Sequence, residues 1–215
     1  MVKNIGFLFD LDGVLIDSES EYSRIWAQIN KEFPTGVQNL ELVIKGCTLT
    51  KILNDFYPDN NTGLQVSNRL HELENVMQYK YLPFAEEFLI ALQEMEIPRA
   101  LVTSSAKDKM NHLKEEIPDI LDRFNVVVTA EFVTKSKPDP EGYLIAANKL
   151  EIHPKNCVVF EDSLQGVMAG KRAGAYVIGV EGTLPAETIR PYCDMVIKNF
   201  SEIMIQSLLN ILSKR

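Results

Sequence analysis

At 215 residues, 46% hydrophobic and 24% charged, the chain has a globular composition and enough length for one full core plus a small appended domain. No segment approaches the roughly 18 consecutive apolar residues of a membrane span, and a net charge of −8, from 22 basic and 30 acidic residues with no basic stripe, argues against a nucleic-acid binder. Cys47, Cys157 and Cys193 are widely spaced with no C-x-x-C pair, and the first apolar run breaks too early for a signal-peptide core, so reduced thiols in a cytoplasmic protein, a monomer, are expected.

Ile5–Phe9 is a short apolar run ended by Asp10-Leu-Asp12-Gly13, which reads as a buried strand running into a turn. Side chains at i and i+2 of an extended chain share a face, so Asp10 and Asp12 can be aimed at one point. Gly13 permits a sharp turn after them. From Asp17 to Pro83 the rhythm is helical, with one stripe at Tyr22, Ile25, Trp26, Ile29 and Phe33 and another at Val66, Leu70, Leu73 and Met77. Roughly two to six residues would be an ordinary connection here, so residues 17–83 are expected to form a helical cap inserted after the first strand. Asp17 and Ser18 would serve as helix caps or hinge residues, and Trp26 as cap core.

The core, residues 1–16 and 84–215, then alternates. Helical faces at Phe88, Leu89, Leu92 and Met95 and at Tyr143, Leu144, Ala147 and Leu150 separate apolar runs at Ala100–Val102, Val126–Val128, Val158–Phe160 and Val177–Val180. Ser163 is placed to cap a helix carrying Leu164, Val167 and Met168 that stops near Gly174. The strands are continuously apolar, which predicts an α/β fold: a Rossmann-like parallel sheet covered by helices on both faces.

The residues just beyond each strand carry the chemistry. Asp10 and Asp12 come after the first, Thr103, Ser104 and Ser105 after the second, Lys135-Ser-Lys137-Pro-Asp-Pro140 after the third, and Glu161, Asp162 and Ser163 after the fourth. Ligands of open parallel sheets bind beyond these strand ends. Four carboxylates in one cleft, with no histidine or thiolate beside them, call for a hard cation, Mg²⁺. The histidines, His71, His112 and His153, are scattered and are expected on helices or at the surface. Asp139 is expected to cap a helix that Pro140 begins. Lys137 and Thr103 would hold a phosphoryl group, with Asp10 as nucleophile and Asp12 exchanging protons with the leaving oxygen and with water. A calcium loop at Asp10-Leu-Asp12-Gly13 is disfavoured by its apolar flanks.

These motifs resemble the haloacid dehalogenase-like superfamily, in its phosphatase and phosphomutase branch with a helical cap. Asp10-Leu-Asp12-Gly-Val-Leu15 matches D-x-D-G-x-[LV], Val102-Thr103-Ser104 the second motif, Lys137-Pro the third, and Phe160-Glu161-Asp162-Ser163 with Gly166 the fourth. The resemblance implies Mg²⁺ held by the Asp10 carboxylate, the Asp12 carbonyl and Asp162, with Glu161 in or beside that shell. Asp12 speaks against dehalogenases and phosphonate hydrolases of this type. In the β-phosphoglucomutase look-alike, a cap segment Lys-Gly-x-Ser-Arg holds a second phosphate. Here Ile44-Lys45-Gly46-Cys47-Thr48-Leu49 puts Leu49 at the arginine's place, and Tyr22 replaces the mutase histidine. The expected activity is hydrolysis of a small phosphorylated metabolite, such as a sugar phosphate, with Ser104 and Lys45 also contacting substrate. A phosphomutase and a non-enzymatic binding module are the alternatives.

Overall fold

The computed structural model describes residues 4–44, 47, 49–182 and 186–214. Lys45, expected to contact substrate, lies outside the described residues. The chain divides into two compact units, Met1–Asp17 with Tyr79–Arg215, and Ser18–Gln78.

The first unit is the α/β core. Its strands are β1 (Gly6–Phe9), β2 (Arg99–Val102), β3 (Val126–Val128), β4 (Cys157–Glu161), β5 (Tyr176–Val180) and β6 (Met195–Ile197). They form one sheet in the order β3-β2-β1-β4-β5-β6, parallel throughout. The residues of β1, β2 and β4 are buried along their whole length, which is why these runs are apolar without alternation. One face packs Leu8, Ala100, Val102 and Val159 with Tyr143, Ala146, Ala147 and Val167 from the covering helices. The other face is aromatic: the rings of Phe9 and Phe160 stack at 4.7 Å, with Phe88 and Phe200 against them.

The second unit is helical: α1 (Ser18–Glu32), α2 (Leu40–Val43), α3 (Leu49–Phe56) and α4 (Asn60–Glu74). Ile25, Trp26 and Ile29 are the buried stripe of α1, which packs on α2 and α4. Val66, Leu70 and Leu73 are the stripe of α4, which Asp59 caps by accepting from the Thr62 N–H.

In the core the helices are α5 (Ala85–Glu94), α6 (Lys107–Glu116), α7 (Glu141–Lys149), α8 (Leu164–Ala173), α9 (Ala186–Ile189) and α10 (Ile205–Leu212). Two expected face residues are exposed. Met95 lies one residue past α5 and is 41% exposed, and Leu144 on α7 is also exposed. Ala146 takes the buried place on α7 beside Tyr143 and Ala147. The three cysteines are free thiols. His153 starts a short 3₁₀ turn by accepting from the Lys155 N–H. No helix among the described residues is long and apolar enough to cross a membrane.

Candidate active site

The sheet register brings the distant motifs together. Phe9 pairs with Phe160 and with Leu101, so the next residue of each strand continues into one cluster at the carboxyl edge. The Asp10 N–H donates to the Phe160 carbonyl at 3.0 Å, which seats Asp10 beside Glu161. Beyond Asp12 the chain reverses at Gly13, whose φ of 71° lies in the left-handed region that a side chain disfavours. The Gly13 N–H and the Ile16 carbonyl close this turn at 3.0 Å.

Lys137 enters the cluster from the loop before α7. Its Nζ donates to Asp10 Oδ1 and to Glu161 Oε1, both at 2.6 Å, and to the Val102 carbonyl at 3.2 Å. Arg172 on α8 donates to the Pro138 carbonyl and so anchors the same loop. At the start of α7, Asp139 Oδ1 accepts from the Glu141 N–H at 3.1 Å, but the cap position is Pro140, which makes no side-chain cap bond, and the helix begins at Glu141, so Asp139 stands one residue before the cap position expected of it.

Carboxylate oxygens of Asp10, Glu161 and Asp162 all lie within 4.8 Å of one another, and all three residues are at least nine-tenths buried. Against three acids stands one ammonium. A like pair of unit charges at ~4 Å costs about 4 kcal/mol at an effective dielectric near 20. Proton affinities shift accordingly. Burial, reinforced by Glu161 and Asp12 and opposed by Lys137, pushes the Asp10 carboxyl up to about 7. Burial works against the Lys137 charge, but Asp10 and Glu161 outweigh it and hold the ammonium above the ordinary lysine range.

A divalent ion fits this donor set. All donors are hard oxygens, and lying within 4.8 Å of one another they are close enough for one small cation with metal–oxygen distances of about 2.1 Å to be shared among them. The carboxylates differ in what else they do. Glu161 Oε1 accepts from Lys137 and, at 2.8 Å, from the Tyr143 hydroxyl. Its Oε2 accepts from the Ser163 N–H at 3.3 Å and the Ser163 hydroxyl at 3.0 Å. Four bonds use the capacity of a carboxylate. Glu161 therefore orients Lys137, and with Asp10 and Asp162 it completes the group of acids that could hold an ion. Burial and Glu161 raise the Tyr143 hydroxyl well above its ordinary range, which keeps it a donor.

Ser163 caps α8 by accepting from the Gly166 N–H at 3.0 Å. The Glu161 carboxylate lies across this first turn. A Cβ on Gly166 would fall far inside van der Waals contact with Glu161 Oε1 and Cδ. Gly166→Ala is therefore expected to lose about 2–3 kcal/mol of stability and at least ~10-fold in turnover through a displaced Glu161. Urea unfolding and phosphate release measure the two effects.

Asp12 points elsewhere. Its Oδ2 accepts from Ser105 Oγ at 3.0 Å and its Oδ1 from Lys109 Nζ at 2.6 Å, so its carboxylate stands outside the three-acid cluster. Thr103 is buried at the end of β2, where its Oγ1 accepts from the Ser105 N–H. Ser104, on the same loop, is exposed. Neither serine caps α6, whose cap position is Ala106. Sequence reasoning missed Lys109, Tyr143 and Arg172. Tyr143 lies six residues after Lys137 on an apolar helix face, which reads as core packing; Lys109 and Arg172 read as solvated helix charges.

Over residues 7–180 the chain matches the family described as haloacid dehalogenase-like hydrolase. It is 32% identical over 206 residues to validoxylamine A 7'-phosphate phosphatase of Streptomyces hygroscopicus subsp. limoneus, covering 91% of this chain and 94% of that protein. It is also 32% identical over 208 residues to hexitol phosphatase A of Escherichia coli, covering 93% of each. Among solved structures, a haloacid dehalogenase-family hydrolase of Entamoeba histolytica superposes with a TM-score of 0.81 at 22% identity, over 97% of this chain and 99% of that one.

Proposed function

The chain belongs to the haloacid dehalogenase-like hydrolases, and on that premise we propose that it is a Mg²⁺-dependent phosphatase of a small phosphorylated polyol or sugar, working through an aspartyl phosphate on Asp10. The observation that carries this reading is the buried cluster in which Lys137 bridges Asp10 and Glu161 while Asp162 stands within ion-sharing distance. The two phosphatase relatives support the substrate class, since one is named for validoxylamine A 7'-phosphate and the other for hexitol phosphates.

Asp10 and Asp162, with the Asp12 carbonyl, would hold Mg²⁺, whose chemistry would be to neutralise charge on the phosphoryl oxygens. In the first half-reaction an Asp10 carboxylate oxygen bonds to phosphorus as the ester P–O bond breaks. The departing alcohol oxygen takes its proton from Asp12. In the second, Asp12 takes a proton from water, the water oxygen bonds to phosphorus, and the Asp10–phosphorus bond breaks to release phosphate. Lys137 and Thr103 steady the phosphoryl group throughout. The helical unit, residues 17–83 in the sequence boundaries, is assigned as the cap that selects the substrate. The enzyme is further read as a cytoplasmic monomer, with gel filtration as the check on its size.

Hydrolysis is preferred over a β-phosphoglucomutase-type phosphomutase because Leu49 and Tyr22 stand where that look-alike carries its phosphate-holding arginine and its histidine. Tyr22 instead donates to Glu74 at 3.0 Å. A phosphate-release screen across hexitol phosphates, sugar phosphates, nucleotides, phosphoglycolate and pyrophosphate tests the proposal. The highest kcat/KM is expected with a polyol or sugar monoester, without a bisphosphate activator. No release from any ester in Mg²⁺ would overturn it. Substituting Ca²⁺ for Mg²⁺ is expected to lower kcat at least ~10-fold, because the larger ion takes about six to eight oxygens at longer range and draws Asp10 away from in-line attack.

A further inference from the structure

Asp12 is held from two sides by the segment after β2. Ser105 takes one carboxylate oxygen and Lys109 the other, at 3.0 and 2.6 Å. Their side chains are partly shielded, Lys109 at 19% exposure and Asp12 at 31%. Behind the ammonium, 5.9 Å away, lies the ring of Tyr79, which meets His112 edge-on at 5.4 Å and so gives the lysine a fixed wall. Ser105 is fixed in turn by its N–H to Thr103 Oγ1 at 3.0 Å.

Helix stability does not explain this lysine. Lys109 occupies the first turn of α6, the positive end of the helix dipole, where a cation is disfavoured and where Asp108 is the residue that suits the position. A surface ion pair at this spot would add little to stability. Together, Lys109 and Ser105 remove the rotational freedom of one carboxylate.

We propose that Lys109 is a positioning residue which, with Ser105, fixes the Asp12 carboxylate in the orientation from which it exchanges a proton with the leaving alcohol. The inference rests on Asp12 being the general acid and base. The proton passes from Asp12 to the ester oxygen as the P–O bond breaks, and Lys109 neither gives nor takes it.

Leaving-group dependence separates this role from a structural one. Nitrophenolate departs without a proton, whereas the alkoxide of a hexitol phosphate does not, and kcat/KM reports only the steps through loss of the leaving group. Lys109→Ala is expected to lower kcat/KM for a hexitol 6-phosphate by about 10–30-fold while lowering that for p-nitrophenyl phosphate by less than about 3-fold. Lys109→Arg, which retains charge and donors, should recover most of the loss. In an Asp12→Asn background, Lys109→Ala should cause no further loss with either ester. Equal losses on both esters would make Lys109 structural, and an undiminished loss in the Asp12→Asn background would make it a direct substrate contact; either result overturns the proposal. Asp12→Asn alone tests the premise. If it fails to discriminate between the esters, Asp12 is not the acid, whereas discrimination by Asp12→Asn without discrimination by Lys109→Ala sinks the positioning role alone.

Discussion

Asp10→Asn is expected to yield a folded protein whose turnover is lower by more than about 10⁴-fold, the scale on which removing a covalent nucleophile acts. An amide oxygen carries no full charge and cannot displace an alcohol from phosphorus. Structurally the substitution is mild. The Asp10 carboxylate sits where burial, Glu161 and Asp12 all oppose its charge, so its loss relieves repulsion as well as removing a partner of Lys137. Lys137 then keeps Glu161 at 2.6 Å as a one-to-one pair. The two effects offset, and the metal-free variant should melt within a few degrees of the parent. Acid quenching during turnover should trap a hydroxylamine-sensitive phosphoryl group on the parent and none on the variant. Near-normal turnover in Asp10→Asn would move the nucleophile to another residue.

The legibility of this site in the sequence depends on the spacing of its parts. Asp10 and Asp12, and Glu161, Asp162 and Ser163, are adjacent in the chain, at the ends of apolar runs too short to be helices. Local pattern therefore exposes them, and the resemblance joins them to Lys137. The clamp on Asp12 is invisible for the opposite reason. Ser105 and Lys109 lie 93 and 97 residues from the carboxylate they hold, and only the pairing of β1 with β2 brings them near. Tyr143 reads as core because its ring is core; its hydroxyl finds Glu161 only once α7 is laid across the sheet. The strand β6 gives no sequence signal, being a three-residue run, Met195–Ile197, between Asp194 and Lys198, too brief for periodicity to register. Leu144 shows the converse error: helical spacing allows it on the buried face, but the residues that α7 buries are Tyr143, Ala146 and Ala147, and Leu144 is exposed.

Lys137→Met tests whether charge or shape governs the cluster. Lys137 is the cation that holds Asp10 and Glu161 together, with 14% of its side chain exposed against 12% for Asp10 and none for Glu161. Replacing it with a neutral chain of similar length preserves packing against the Tyr143 ring, whose centre lies 5.2 Å from Nζ. It also leaves three acids with no counter-charge from the lysine. Breaking a buried pair costs about 3–5 kcal/mol, and the slight exposure here puts the expected loss near the lower end, about 3 kcal/mol. Turnover should fall about 10²–10³-fold, since a preorganised cation beside the transferring phosphoryl group is lost. The diagnostic is the response to Mg²⁺. An ion bound among the acids supplies part of the missing charge, so Mg²⁺ should raise the melting temperature of Lys137→Met by more than it raises that of the parent. Lys137→Arg should retain much of the stability, because it keeps the charge, yet remain poorly active, because a planar guanidinium cannot reproduce the ammonium's contacts with Asp10, Glu161 and the Val102 carbonyl at once. If Lys137→Met and Lys137→Arg lost stability equally, and Mg²⁺ shifted both no more than the parent, the cluster would be held by packing and the electrostatic account of the site would fail.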